Sequence, residues 1–190
     1  TITKPMTLRG LRAKLPPKLG KVPILIVDAP DVTLSDVEMH GNYDSVGQNQ
    51  RAPFIHIKRG GFDIRDCKFF DGTKDGLMVT PDDRAGDIVG GVIRNIEGTR
   101  MGRDVVSLSG GNKGQRIRKV SVENVAIHKG YHRGAVEVSD GTDDILVRHV
   151  FAEEALYAID VQDHQKPASK TAEKGPQTLC APNTHVTIED

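Results

Sequence analysis

Apolar and polar residues alternate with a period of two in short runs along most of the chain, and long runs at a period of 3.6 residues are missing. Beneath ILIVD (24–28) align FIHIK (54–58), GLMVT (76–80), VVSLS (105–109), AVEVS (135–139) and AIDVQ (158–162). Each reads as a strand whose last inward residue is Val27, Ile57, Val79, Leu108, Val138 or Val161, at steps of 30, 22, 29, 30 and 23 residues. A second column follows each strand in VTLSDV (32–37), FDIRDC (62–67), GVIRNI (91–96), VSVENV (120–125) and ILVRHV (145–150). It sets Leu34, Ile64, Ile93, Val122 and Val147 facing in, and brings Asp36, Asp66, Asn95, Asn124 and His149 to one shared position. Asp, Asn and His tolerate left-handed backbone better than other non-glycine residues. The column therefore predicts a recurring bend between two strands.

Two strands per turn, repeated every 22 to 30 residues, predict a parallel solenoid in which each rung buries its aliphatic face against its neighbours. The expected fold class is all-β: a single-stranded parallel β-helix of about six to seven rungs, forming one domain over residues 1–190. QDHQKPASKTAEKGPQ (162–177) is polar and rich in Lys and Pro, and predicts a long exposed loop across 162–182 before a last strand in NTHVTIED. MTLRG (6–10) and VTIED (186–190) both line up with VTLSD, so the chain begins and stops partway round a rung. Solenoids normally cover such ends, which leads us to expect an excerpt of a longer protein or an oligomer.

Composition narrows the functional classes. With 26 basic against 26 acidic residues, nothing favours a nucleic acid or an anionic membrane as partner. The longest apolar run, Ile24 to Val27, is far short of the roughly 18 residues of a membrane span. Cys67 and Cys180 are the only cysteines and lack metal-ligand spacing, and their pairing is left open. Trp is absent while Gly reaches 20, which suits stacked aliphatics and tight turns. His40, His128, His149 and His185 stand singly in separate turns and read as bend or surface residues.

The repeat, together with the opening TITKPMTLRG, resembles the right-handed parallel β-helices of the pectin-lyase-like superfamily. The resemblance runs from Ile2 to about Asp163 and returns in residues 183–190. It implies a secreted, extracellular or periplasmic protein that acts on polysaccharide. One fold hosts many functions, so the activity has to be read from the site. Compared with polygalacturonase-like hydrolases, TKDGLMV (73–79) matches one catalytic element through Asp75, and GRDVVSLSG (102–110) matches another through Asp104, with Arg103 replacing an acid. YHRGAVEVSDG (131–141) is similar to a third, with His132 displaced by Arg133, and YAIDVQ (157–162) lacks the Arg and Lys of the fourth.

The columns before the strands carry the candidate chemistry. Five positions ahead of Val79, Leu108 and Val138 stand Lys74, Arg103 and Arg133, and four ahead stand Asp75, Asp104 and Gly134. His56, Met78, Ser107, Glu137 and Asp160 face outward along the same strands. Abstracting the C5 proton of a uronic acid builds charge on its carboxylate, so lyases and epimerases need cations or a metal beside a base. Arg103, Arg133 and Lys74 could hold that carboxylate, with Ser107 lining the site. His132 or Lys74 could serve as base, and Tyr157 could donate to the leaving oxygen. Glu137 and Asp160, with Asp75 and Asp104 nearby, offer hard oxygen ligands for Ca²⁺. The expected function is a lyase or epimerase acting on an acidic, uronate-containing polysaccharide. The alternatives are a polygalacturonase-like hydrolase, which the loss of one carboxylate counts against, and a non-catalytic adhesin, spike or glycan-binding β-helix.

Overall fold

The computed structural model describes residues 1–16, 22–43, 52–82, 86–111, 113–163 and 181–190. Among the described residues, parallel strands stack as a solenoid of about five turns with no α-helix, fewer than the six to seven rungs expected because the first and last strands make incomplete turns. Short strands β3 (Leu25–Val27), β5 (Ile55–Ile57), β7 (Leu77–Val79), β9 (Val106–Ser109), β11 (Val136–Ser139) and β13 (Ile159–Gln162) form one six-stranded sheet. Long strands β4 (Val32–His40), β6 (Phe62–Phe70), β8 (Ile88–Thr99), β10 (Ile117–His128) and β12 (Thr142–Glu153) form the other. β1 (Met6–Arg9), β2 (Arg12–Lys14) and β14 (Thr184–Glu189) complete that second sheet at its two edges. Among the described residues no helix is long and apolar enough to cross a membrane.

The inward line of the short strands stands in register: Val27 pairs with Ile57, Ile57 with Val79, Val79 with Leu108, Leu108 with Val138, and Val138 with Val161. The first five have no exposed surface, whereas Val161 in the last rung is 43% exposed. Leu34, Ile64, Ile93, Val122 and Val147 form the opposing line and are fully buried. Stacking of like residues 4.8 Å apart, roughly one strand spacing, thus builds a continuous core from a repeat that cannot bury itself alone.

The bend column also stands where the pattern puts it. Asp36, Asp66, Asn95, Asn124 and His149 all have φ between 51° and 56°, and Gly10 occupies the same place in the incomplete first rung with φ 76°. The Asn95 Nδ2 donates to Asp66 Oδ1 at 2.9 Å and the Asn124 Nδ2 to Asn95 Oδ1 at 3.1 Å, so the corner is tied from rung to rung by side chains. Two further columns of positive φ mark the other corners: Asp31 and Gly61 just before β4 and β6, in line with Gly90, Lys119, Asp144 and His185 inside the starts of β8, β10, β12 and β14, and Asp71, Arg100, Lys129 and Glu154 just after β6, β8, β10 and β12.

Cys67 is free and wholly buried beneath the bend; Cys180 and most of the expected 162–182 loop lie outside the described residues. Burial pushes the Cys67 thiol up to about 12. The reactive thiolate is therefore scarce, and alkylation followed by peptide mapping should find Cys67 unmodified in the native protein and modified after unfolding.

Candidate functional site

The outward face of the six-stranded sheet starts from the turns that bring the chain back from the long strands. Asp75 sits in the turn before β7 and Asp104 in the equivalent turn before β9, and each caps the backbone of the next rung. Asp75 Oδ1 accepts the Asp104 amide at 3.4 Å, and Asp104 Oδ1 accepts the Gly134 amide at 3.4 Å. Gly134 ends this carboxylate column for a steric reason: a Cβ there would lie 2.0 Å from the Tyr157 carbonyl oxygen. The sharp approach brings the Tyr157 hydroxyl to Asp104 Oδ1, to which it donates at 2.8 Å.

Glu137 on β11 is the hub of the arrangement. Ser107 Oγ donates to its Oε2 at 2.7 Å, Arg103 Nη2 lies 3.1 Å from the same oxygen, and Gln162 Nε2 donates to Oε1 at 2.7 Å. Arg133 Nη1 donates to that Oε1 as well. The two guanidiniums also face Asp104 Oδ2, Arg103 at 3.6 Å and Arg133 at 3.7 Å. Arg103 Nε stands 3.5 Å from Asp75 Oδ1, and Lys74 Nζ 3.7 Å from Asp75 Oδ2. These last contacts are beyond hydrogen-bond length, and Asp75 Oδ2, Asp104 Oδ2 and Arg103 Nε are buried polar atoms with no hydrogen bond.

Electrostatics separates the three carboxyls. Burial, reinforced by the charges of Asp75 and Glu137, pushes Asp104 up to about 7, against the pull of Tyr157 and Arg103. Burial likewise raises Asp75, partly offset by Arg103 and Lys74. Burial works in the same direction on Glu137, but the Ser107 hydrogen bond and the Arg103 and Arg133 charges outweigh it and hold that carboxyl below its ordinary value. Near neutral pH the site thus pairs an ionised Glu137 with an Asp104 that exchanges a proton. Tyr157, raised by burial and by Asp104, remains a donor.

Above this network lies a groove of about 310 Å³ lined by Lys74, Asp75, Met78, Thr80, Arg103, Ser107, Ser109, Arg133, Glu137, Ser139 and Asp140. The lining includes three cations, Lys74, Arg103 and Arg133, and the hydroxyl residues Thr80, Ser107, Ser109 and Ser139; Ser139 Oγ donates to the Leu108 carbonyl at 3.4 Å. No family model, no curated protein and no solved structure matches this chain. The chemistry of the groove therefore rests on its own geometry.

Of the residues singled out by the sequence, Lys74, Asp75, Arg103, Asp104, Ser107, Arg133, Glu137 and Tyr157 come together in or directly beneath this groove. Two stand apart from its lining. His132 is exposed, and its Nε2 is 3.2 Å from the Tyr43 hydroxyl. Asp160 pairs with Glu137 in the strand register, one rung along, outside the groove. The residues do not fit Ca²⁺. Both Glu137 oxygens are held by guanidiniums, which repel a divalent cation, and no group of three or more His, Cys, Asp or Glu among the described residues could hold a metal. The sequence pattern passed over Thr80, Ser109 and Ser139, although each follows an inward residue of the repeat by one place, and over Gln162, which no column marked.

Proposed function

We propose that the protein acts on an acidic, uronate-containing polysaccharide laid against the outward sheet face, transferring a proton at C5 as a lyase or epimerase of the pectin-lyase-like kind. The observation that carries this reading is a buried Asp104 titrating near neutral pH beneath a groove whose lining includes three cations and the hydroxyl residues Thr80, Ser107, Ser109 and Ser139. Cations answer a substrate carboxylate, hydroxyls answer a sugar, and a group with a pKa near the working pH is suited to take and return a proton. Work on such a polymer places the protein outside the cytoplasm.

The proposed sequence begins with exchange of partners. The uronate carboxylate draws the Arg103 and Arg133 guanidiniums off Asp104 and Glu137, and both side chains are partly exposed, at 21% and 27%. Asp104 Oδ2, left without its stretched ion pairs, takes the C5 proton while the two arginines hold the charge that moves onto the carboxylate. In elimination the C5–H electrons form the C4=C5 bond as the C4–O bond breaks, and Lys74 at the groove wall supplies the proton to the leaving oxygen. With the C4–O bond intact, delivery of a proton from water to the opposite face of C5 gives the epimer, and Asp104 later releases its own proton to solvent. Hydrolysis fits less well, because it needs a linkage held between two carboxyls. Asp104 and Glu137 instead converge on the same two guanidiniums.

A non-catalytic reading is favoured by one observation: Asp75, Asp104 and Glu137 are 0–2% exposed and each groove cation already faces one of them. In that case the network is a structural tie between rungs. Calorimetric binding separates the two readings. Arg103→Ala and Arg133→Ala should each weaken polyuronate binding about tenfold or more, leave a neutral glycan unaffected, and lose their effect as salt is added. A double substitution that leaves polyuronate affinity and turnover untouched removes the substrate assignment.

A further inference from the structure

Aromatic residues make up 4% of the chain, with no Trp, five Phe and three Tyr. Phe54, Phe62 and Phe69 are spent in the core. Tyr157 donates to Asp104 beneath the groove, and Tyr43 stacks on Tyr131 with ring centroids 4.1 Å apart and planes 2° from parallel.

The pair is assembled across several rungs. The Tyr43 amide donates to the Asp71 carbonyl at 3.1 Å and the Tyr131 amide to the Met101 carbonyl at 2.9 Å. Both phenol oxygens have partners: Tyr43 the His132 Nε2 at 3.2 Å, and Tyr131 the Arg100 Nε at 3.2 Å, itself 3.1 Å from Asp71 Oδ1. Both rings are only partly buried. Since the hydroxyls and the facing ring surfaces are engaged, what the pair has left to offer is apolar ring surface. Tyr131 lies two residues before Arg133, whose guanidinium lines the groove.

We propose that the Tyr43–Tyr131 stack is a sugar-stacking subsite, taking the apolar ring face of a saccharide unit next to the one whose carboxylate sits at Arg103 and Arg133. The inference rests on the function proposed above and adds to it a requirement for an oligosaccharide rather than a single uronic acid. An aromatic face supplies area without charge, so the subsite recognises the ring and not its carboxylate. His132, read from sequence as a base, acquires a positioning role through Tyr43.

Binding of oligouronates of increasing length, measured by calorimetry on the whole chain, tests this. The wild-type protein should gain about tenfold in affinity when the oligomer becomes long enough to reach the stack, the scale of burying one ring face. Tyr131→Leu, which keeps apolar bulk at the corner, should abolish that gain while leaving the affinity for the shortest bound oligomer within about twofold. Because the chain has no Trp, tyrosine emission of the unmodified protein gives a second readout, which should change further on going from the short to the long oligomer. A length gain that persists in a folded Tyr131→Leu variant, or a wild-type protein that binds short oligomers with no gain on extension, overturns the subsite alone. Failure of the wild-type protein to bind any oligouronate overturns the proposed substrate and the subsite with it.

Discussion

On the proposed mechanism Asp104→Asn should lower turnover at least about 100-fold and at the same time remove part of the fall in stability between pH 4 and pH 7, with Asp75, raised by burial in the same direction, carrying the remainder. The two effects share one cause. The Asp104 carboxyl is fully buried and titrates at about 7 in the fold, against about 3.9 in an unfolded chain. Between those values the native state binds the proton that the unfolded state has released, so stability declines as pH rises and levels off above about 7. Ionising Asp104 inside the fold therefore costs stability. Glu137, held below its ordinary value, acts with the opposite sign: its contribution is present above the unfolded pKa and is lost as pH falls through its lowered one. Urea denaturation at a series of pH values should show the neutral-to-acid slope in the wild-type protein and a shallower one, left by Asp75, in Asp104→Asn. On the proposed mechanism the same substitution leaves an amide in place of the base, which is the cause of the expected fall in rate. A variant that keeps the wild-type slope would show that another group carries it.

Leu108→Ala is expected to destabilise the coil by about 3–5 kcal/mol, while Val161→Ala should cost under about 1 kcal/mol. Both residues belong to one inward line, yet Leu108 lies between Val79 and Val138 with no exposed surface, and Val161 is 43% exposed in the last rung. Truncation in the middle of the stack leaves a cavity that the rungs on either side cannot close, because their spacing is fixed by strand pairing. Denaturation midpoints of the two variants measure the difference directly. Equal costs would mean that the stack is not the source of stability along this line.

The inward lines and the bend were legible because each leaves a chemical mark. Val, Ile and Leu at a period of two report burial, and Asp36, Asp66, Asn95, Asn124 and His149 are side chains that tolerate a positive φ. The other two corners escaped notice because residues that advertise a positive φ, such as Asp31, Asp71 and Asp144, are mixed there with Lys119, Arg100, Lys129 and Glu154, which do not. For the site, the alignment placed Lys74, Arg103 and Arg133 in one column and Asp75 and Asp104 in the next, and these do meet. It could not show how far the arginines reach. Arg103 and Arg133 extend along the strand to Glu137, which turned a residue read as a Ca²⁺ ligand into the centre of an ion-pair network. Nor could it show where His132 turns: its column lies beside the cations, and its ring meets the Tyr43 hydroxyl.

The most direct test of proton transfer at a uronate is hydrogen exchange at C5, followed by NMR of polyuronates incubated with the protein in deuterated buffer, alongside absorbance of unsaturated ends. The account predicts deuterium at C5, or unsaturated product, with the wild-type protein and neither with Asp104→Asn. A polyuronate that binds in the groove but shows no exchange and no unsaturation with the wild-type protein would contradict it, leaving the coil as a binding module.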